Sequence, residues 1–204
     1  GQSRLVVSEL GGRANAAWMV RQLGGAAIDG LDAAALSRLV KELEAEGASF
    51  EGADASFDLL VRRRRDDYVA PFRIIDYTVI VERRDGAPAR AEANVKVEVD
   101  GELLHTAADG NGPVNALDLA LRKALGAFFP ALDGVHLVDY KVRIIDGEAA
   151  TQARTRVIIE TGHETGSWVT AGADGNIIAA SVAALHDPND AASSTRRASC
   201  ARVS

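Results

Sequence analysis

The side chains able to do chemistry here are four histidines, one cysteine and 29 carboxylates in a chain of 204 residues. Their spacing offers catalysis little. His105, His136, His163 and His186 form no H-x-H, H-E-x-x-H or Cys/His pattern, so no metal site is expected. Cys200 lies in a polar stretch, and no G-x-S-x-G is present to anchor a nucleophile. A phosphate loop is absent. Gly110 and Gly112 lack the third glycine and the parallel setting of a dinucleotide site. No two carboxylates pair in an apolar setting that would raise a pKa. The chain carries no readable catalytic site.

What remains is a loop built twice. Residues 105–117 run from an extended segment through Gly110 and Gly112 into a helix opened by Pro113. Proline suits the first helical turn, where its missing N–H costs nothing. Residues 169–185 repeat the design 64 positions later, with Thr106/Thr170, Ala107/Ala171, Ala116/Ala180, Ala120/Ala184 and Leu121/Leu185 matching. Each copy delivers a loop onto a helix N-terminus, where N–H groups and a partial positive charge suit a small carboxylate or phosphate. Turn geometry alone accounts for the same Gly and Asn residues equally well.

The elements that must hold these loops follow from hydrophobic period. Tyr77, Val79 and Val81 alternate with polar neighbours after Phe72, with Ile75 placed on their face. Ala91, Ala93, Val95, Val97 and Val99 give the cleanest period-2 run, and Asp100-Gly101 signals a hairpin. A third strand spans 102–106, and a helix runs from Pro113 to about Phe128. The second unit repeats the order, with strands at 136–145, 154–160 and 168–171 and a helix at 176–186. The fold class expected is α+β, with duplicated βββα units at about 72–130 and 134–187 inside a domain of residues 69–188. Residues 1–68 read as a helical linker subdomain. Its helices lie at 16–23, after an N-cap at Asp32 with Leu36, Leu39, Val40 and Leu43 inward, and near Asp54 with Phe57, Leu60 and Val61 inward. Residues 189–204 read as a flexible tail. Arg62 to Arg65 form a basic run, which is either an anion patch or, as favoured here, a solvated helix end.

A net charge of −6 argues against a nucleic-acid partner. The single cysteine fits a reducing, cytoplasmic setting. No apolar run approaches the roughly 18–20 residues of a membrane span, and the N-terminus lacks a signal peptide's pattern. Gly1 in place of a methionine points to a processed or excised piece of a longer chain.

Residues 105–117, Val138-Asp-Tyr-Lys-Val-Arg-Ile-Ile-Asp-Gly147 and Trp168-Val-Thr-Ala-Gly172 together resemble the C-terminal regulatory domain shared by 2-isopropylmalate synthase and citramalate synthase. Residues 9–15 and 46–57 are similar to the linker subdomain of citramalate-synthase-type members. The resemblance implies a parent acyltransferase of amino-acid biosynthesis, whose TIM barrel condenses acetyl-CoA with a 2-oxo acid using a divalent metal. That barrel is not in this chain, so no cofactor is expected here and the chain alone should be inert. It also implies a homodimer whose regulatory domain binds a branched-chain amino acid. Isoleucine is favoured, as in citramalate synthase with pyruvate as substrate; leucine, as in 2-isopropylmalate synthase, is the alternative.

The effector site expected from both lines comprises Asp109, Gly110, Asn111, Gly112, Pro113 and Val114 in the first loop. Ala173, Asp174, Gly175, Asn176, Ile177 and Ile178 supply the second. The effector carboxylate meets N–H groups of residues 112–114 or 175–177, and its ammonium meets backbone carbonyls, Asp109 or Asp174. Its side chain enters an apolar pocket of Tyr140, Val142, Ile144, Ile177 and Ile178; burying it is worth roughly 1.5–3 kcal/mol. The competing reading is a dimerisation module without an effector.

Overall fold

The computed structural model describes residues 33–48, 50, 52–145, 153–164 and 166–200. The helix expected at 16–23, the cap at Asp32 and the linker motif at 9–15 lie outside them. Among the described residues two helices come first, α1 (Ala33–Ala45) and α2 (Asp54–Arg62). Leu36 and Val40 of α1 pack with Phe50, Phe57 and Val61 in a small core. Gly47 closes α1 at φ +98°, and the Ala48 N–H returns to the Leu43 carbonyl at 2.9 Å, the glycine-terminated ending a helix C-terminus favours. Leu59, absent from the expected stripe, is fully buried because α2 has a second packing partner.

Two three-stranded antiparallel sheets follow, each closed by a helix. The first holds β1 (Arg73–Glu82), β2 (Arg90–Val99) and β3 (Glu102–Gly110) under α3 (Pro113–Leu125). The second holds β4 (His136–Ile144), β5 (Thr155–His163) and β6 (Gly166–Asp174) under α4 (Ile177–Cys200). The expected α+β fold of two βββα units is the fold observed. Asp100 (φ 49°) and Gly101 (φ 83°) make the two-residue hairpin between Val99 and Glu102, whose positive φ values match strand twist. Ala91 to Val99 face the core at alternate positions. The inner faces of both sheets, α3 and α4 share one core that includes Val95, Val97, Leu121, Leu125, Val157, Ile159 and Leu185.

The first strand of each sheet carries a bulge at the same place, between Ile74 and Asp76 in β1 and between Leu137 and Asp139 in β4. The extra residue moves the face of everything before it. Ile74 therefore packs inward with Tyr77, whereas Ile75, expected on that face, is exposed.

Several boundaries differ from those expected from sequence. β3 and β6 run on to Gly110 and Asp174, because small residues let strand and helix start approach closely. A Cβ on Gly110 would stand 2.4 Å from the Ala116 nitrogen, and one on Gly172 would stand 2.2 Å from the Ala180 carbonyl oxygen. At the other end, α4 passes Pro188 and continues to Cys200, where a flexible tail from 189 was expected. Proline has no N–H for the carbonyl four residues back. Here the Thr170 hydroxyl donates to that carbonyl, on Ala184, at 2.8 Å. Asn189 and Asp190 are fully buried, so the helix is held past the proline by its own contacts.

The helical subdomain docks on the second unit. The Arg156 guanidinium donates to the Gly47 and Ala48 carbonyls at 2.9 and 3.0 Å. Ser56 accepts from the Ala171 N–H at 3.0 Å.

Candidate functional site

The two helix starts, alike in sequence design, differ in what their N–H groups meet. In the second unit Asn176 caps α4 with its own side chain, accepting from Ile178 N–H at 2.8 Å and Ala179 N–H at 3.3 Å. Asp174 accepts from Asn176 N–H at 2.8 Å. The donors expected to greet a carboxylate there are therefore largely taken. In the first unit Gly112 holds the cap position in extended backbone, has no side chain to offer, and no side chain caps the helix. Pro113 supplies no N–H, so the N–H groups of Val114 and Asn115 are the uncapped donors. Asn115 instead accepts from the Asn111 N–H at 3.2 Å.

The expected site residues fall into two groups. Tyr140, Val142 and Ile144 share the inner face of β4, and Tyr140 reaches the first turn of α4, its hydroxyl 3.1 Å from the Ser181 hydroxyl. Ser181 in turn donates to the Ile177 carbonyl at 2.7 Å. Ile178 packs in the same core as Tyr140. Val142, Ile144 and Ile177 remain 40%, 67% and 43% exposed in the single chain, an open apolar strip on β4 beside an exposed isoleucine at the start of α4. Asp109 and Ala173 do not join them: each alternates onto the outer face of its sheet, Asp109 opposite Glu92 and Ala173 opposite Arg156. Asp109 thus stands among carboxylates on the solvent side, away from the strip. A small crevice does open between β1 and the two helices, lined by Tyr77, Val95, Leu117, Leu121, Val182 and Leu185 among others, none of them an expected site residue.

Ser181 and Asn115 were missed by the sequence reading. Both lie at positions where the two copies differ, Leu117 standing opposite Ser181 and Ala179 opposite Asn115, but so do many other residues of the loops, so the repeat alone does not single them out.

The arginine run divides its work. Arg62 pairs with Asp58 at 2.7 Å on its own helix and Arg65 with Asp67 at 2.8 Å, the helix-end behaviour favoured from sequence. Arg63 instead turns inward to α4, 3.0 Å from Asp187 and 2.8 Å from Asp190. Burial lowers the Arg63 pKa, but the two carboxylates outweigh it and hold the group above its ordinary range. Burial pushes the Asp187 carboxyl up, against Arg63 and Ser56. Burial and the neighbouring Arg63 together push His186 down to about 4.

Among the described residues, no group of three His, Cys, Asp or Glu is placed to hold a metal ion, and no helix is long and apolar enough to cross a membrane. Residues 51–191 match the family model of the LeuA allosteric (dimerisation) domain. The chain is 44% identical over 189 residues to an (R)-citramalate synthase of Geobacter sulfurreducens, covering 91% of this chain and 35% of that protein. It is 43% identical over 189 residues to an (R)-citramalate synthase of Streptomyces coelicolor, covering 90% and 35%. A 2-isopropylmalate synthase of Aquifex aeolicus is 29% identical over 167 residues, covering 73% and 31%. The chain spans about a third of the length of these curated relatives.

Proposed function

The chain belongs to the LeuA allosteric (dimerisation) domain family, and from that premise we propose that it is the feedback-sensing part of a cytoplasmic citramalate synthase. The parent enzyme in this reading is an acyltransferase that condenses acetyl-CoA with pyruvate. The acetyl-CoA and divalent-metal sites then belong to its TIM barrel. Identity of 35–44% to (R)-citramalate synthases, against 29% and 33% to two 2-isopropylmalate synthases, supports a citramalate synthase as the parent, and isoleucine is the effector that goes with that reading.

The observation that carries the site is the unequal capping. The α3 start leaves two N–H groups without a side-chain cap, while Asn176 fills the equivalent place on α4. A free carboxylate is the ligand that satisfies uncapped N–H groups at a helix start, with dipole and hydrogen bonds acting together. Gly110, Asn111, Gly112, Pro113 and Val114 then form the carboxylate loop. Asp174, Gly175, Asn176, Ile177 and Ile178 form a pre-capped wall, and Tyr140, Val142 and Ile144 receive the aliphatic chain. The half-open strip of Val142, Ile144 and Ile177 closes in this reading when a second copy of the chain covers it. That makes the homodimer part of the site.

The test is calorimetric titration of this chain with isoleucine, with leucine and valine as controls, beside light scattering for mass. The expected result is a dimer that binds isoleucine selectively, near one per chain. Selective leucine binding would transfer the parent to 2-isopropylmalate synthesis. A folded dimer that binds none of the three would leave the dimerisation-module reading.

A further inference from the structure

The far end of α4 meets the helical subdomain through a part-buried polar cluster. Arg63 spans two carboxylates one turn apart, Nη1 to Asp187 Oδ1 at 3.0 Å and Nη2 to Asp190 Oδ2 at 2.8 Å. The Tyr68 hydroxyl donates to the same Asp190 oxygen at 2.5 Å. Ser56 donates to Asp187 Oδ2 at 2.8 Å while accepting from β6 through the Ala171 N–H. His186 Nδ1 lies 3.0 Å from Arg63 Nη2, with its ring 4.7 Å from that of Phe72. Asp190 is fully buried.

This cluster has no counterpart in the first unit. Sixty-four positions earlier, Lys123 and Gly126 stand where Asp187 and Asp190 do. A buried ion pair adds little net stability over an apolar contact, but it tolerates displacement poorly, since a broken pair strands a buried charge. It therefore fixes position more than it glues.

We propose that the Ser56–Arg63–Tyr68 cluster on Asp187 and Asp190 is a joint that couples the helical subdomain to the helix start of the second unit, with α4 as the rod between them. The rod is continuous from Ile177, and Asp190 lies about 20 Å along it at 1.5 Å per residue. At its near end Ser181 holds Tyr140 and the Ile177 carbonyl. That the near end senses an effector rests on the function proposed above; the mechanical coupling does not. Ser56, Arg63 and Tyr68 act as positioning residues, and coupling through them runs equally in both directions.

The test is amide hydrogen exchange of the whole chain, wild type against Asp190→Asn and the milder Tyr68→Phe, each checked for folding by circular dichroism. Amides 178–181, remote from the substitution, are expected to exchange about fivefold or more faster in Asp190→Asn, and less so in Tyr68→Phe, while those of β2 hold. Faster exchange confined to α2, with 178–181 unchanged, overturns the proposal and makes the cluster a local docking contact. If Asp190→Asn does not fold, Tyr68→Phe decides by the same comparison. In a second arm, saturating isoleucine should alter exchange of residues 54–62 in the wild type and not in Asp190→Asn. Calorimetric binding without that response overturns the joint and leaves the effector site standing. Absence of binding removes the effector reading, while the ligand-free comparison still decides the joint.

Discussion

The two βββα units share a backbone and part company at their margins. In the first, the outer sheet face carries Asp76, Thr78, Glu92, Lys96 and Asp109, and its edge residues are exposed. In the second, the outer face carries Ala171, Ala173, Ile158 and Arg156, and α2 meets it through the Ser56 hydroxyl on the Ala171 N–H. The helix starts differ too, one uncapped at Gly112 and one capped by Asn176. What the units keep in common is structural: the edge bulge, the alternating β2 and β5 cores, and the threonine that donates to a mid-helix carbonyl, Thr106 to Ala120 and Thr170 to Ala184, each at 2.8 Å. Divergence is concentrated where a unit meets something outside itself. A duplicated scaffold can specialise in this way because its packing is satisfied by either copy.

The largest effect should come from removing the ion pair that ties the second unit to the helical subdomain. Arg63→Met takes the guanidinium away from the fully buried Asp190 and leaves the Tyr68 hydroxyl as a donor to it. Unfolding in urea should show a loss of about 3–5 kcal/mol, or separate melting of the helical subdomain. Its control in the first unit is Arg73→Met, which breaks an exposed pair with Glu98 and should cost less than about 1 kcal/mol. Equal losses would mean that the two outer faces are not mechanically distinct.

Acid should act through the same cluster. His186 is held down to about 4 from 6.5 by burial and by Arg63, so between those values the unfolded chain binds a proton that the folded chain refuses. Stability then falls as pH drops from about 6.5 to about 4 and levels below, by up to about 3 kcal/mol. The Asp187 carboxyl, pushed up by burial, opposes this above its ordinary pKa by taking a proton in the folded state first. The check is denaturation midpoints from pH 7 to 4 for wild type and His186→Phe; a slope that survives the substitution assigns the acid sensitivity elsewhere.

A smaller effect separates the glycines that let strand and helix touch. Gly172→Ala forces a methyl to 2.2 Å from the Ala180 carbonyl oxygen and 2.7 Å from the Ala184 nitrogen, both backbone. It should cost about 1–3 kcal/mol. Gly175→Ala, with open space around it, should cost far less, and thermal melting of the two variants reads the difference.

Much of this was legible in sequence because it is local or periodic. The period-2 run at Ala91 to Val99, the Asp100-Gly101 turn and the 64-residue repeat each specify their element with neighbours alone. The bulges were not legible: Ile74 and Ile75 are equally apolar, and only pairing with β2 decides which turns inward. Nor was the length of α4. Pro188 reads as a stop, and the contacts that carry the helix past it come from Arg63 and Tyr68, more than 120 residues away. At the site, the two loops were found, but their difference was not, since Asn176 and Gly112 are both ordinary residues for a helix start. Asp109 was misplaced from the loop to the outer face because β3 runs four residues further than its apolar alternation.

The capping difference between the two helix starts can be exchanged by substitution. Asn176→Ala removes a cap that accepts two N–H groups and should cost about 1 kcal/mol. Gly112→Asn does the converse. Gly112 sits at φ −169°, extended backbone open to any residue, and a Cβ there meets nothing within 4 Å. The new side chain should cap α3 as Asn176 caps α4, changing stability by only a few tenths of a kcal/mol. Its amide oxygen would then occupy the donors that the effector carboxylate is proposed to use. Calorimetry should show isoleucine binding weakened at least tenfold in a chain whose melting temperature is unchanged or slightly raised. Unweakened binding would mean that the uncapped start of α3 is a feature of the turn alone, and that the unit recognising the ligand is the other one.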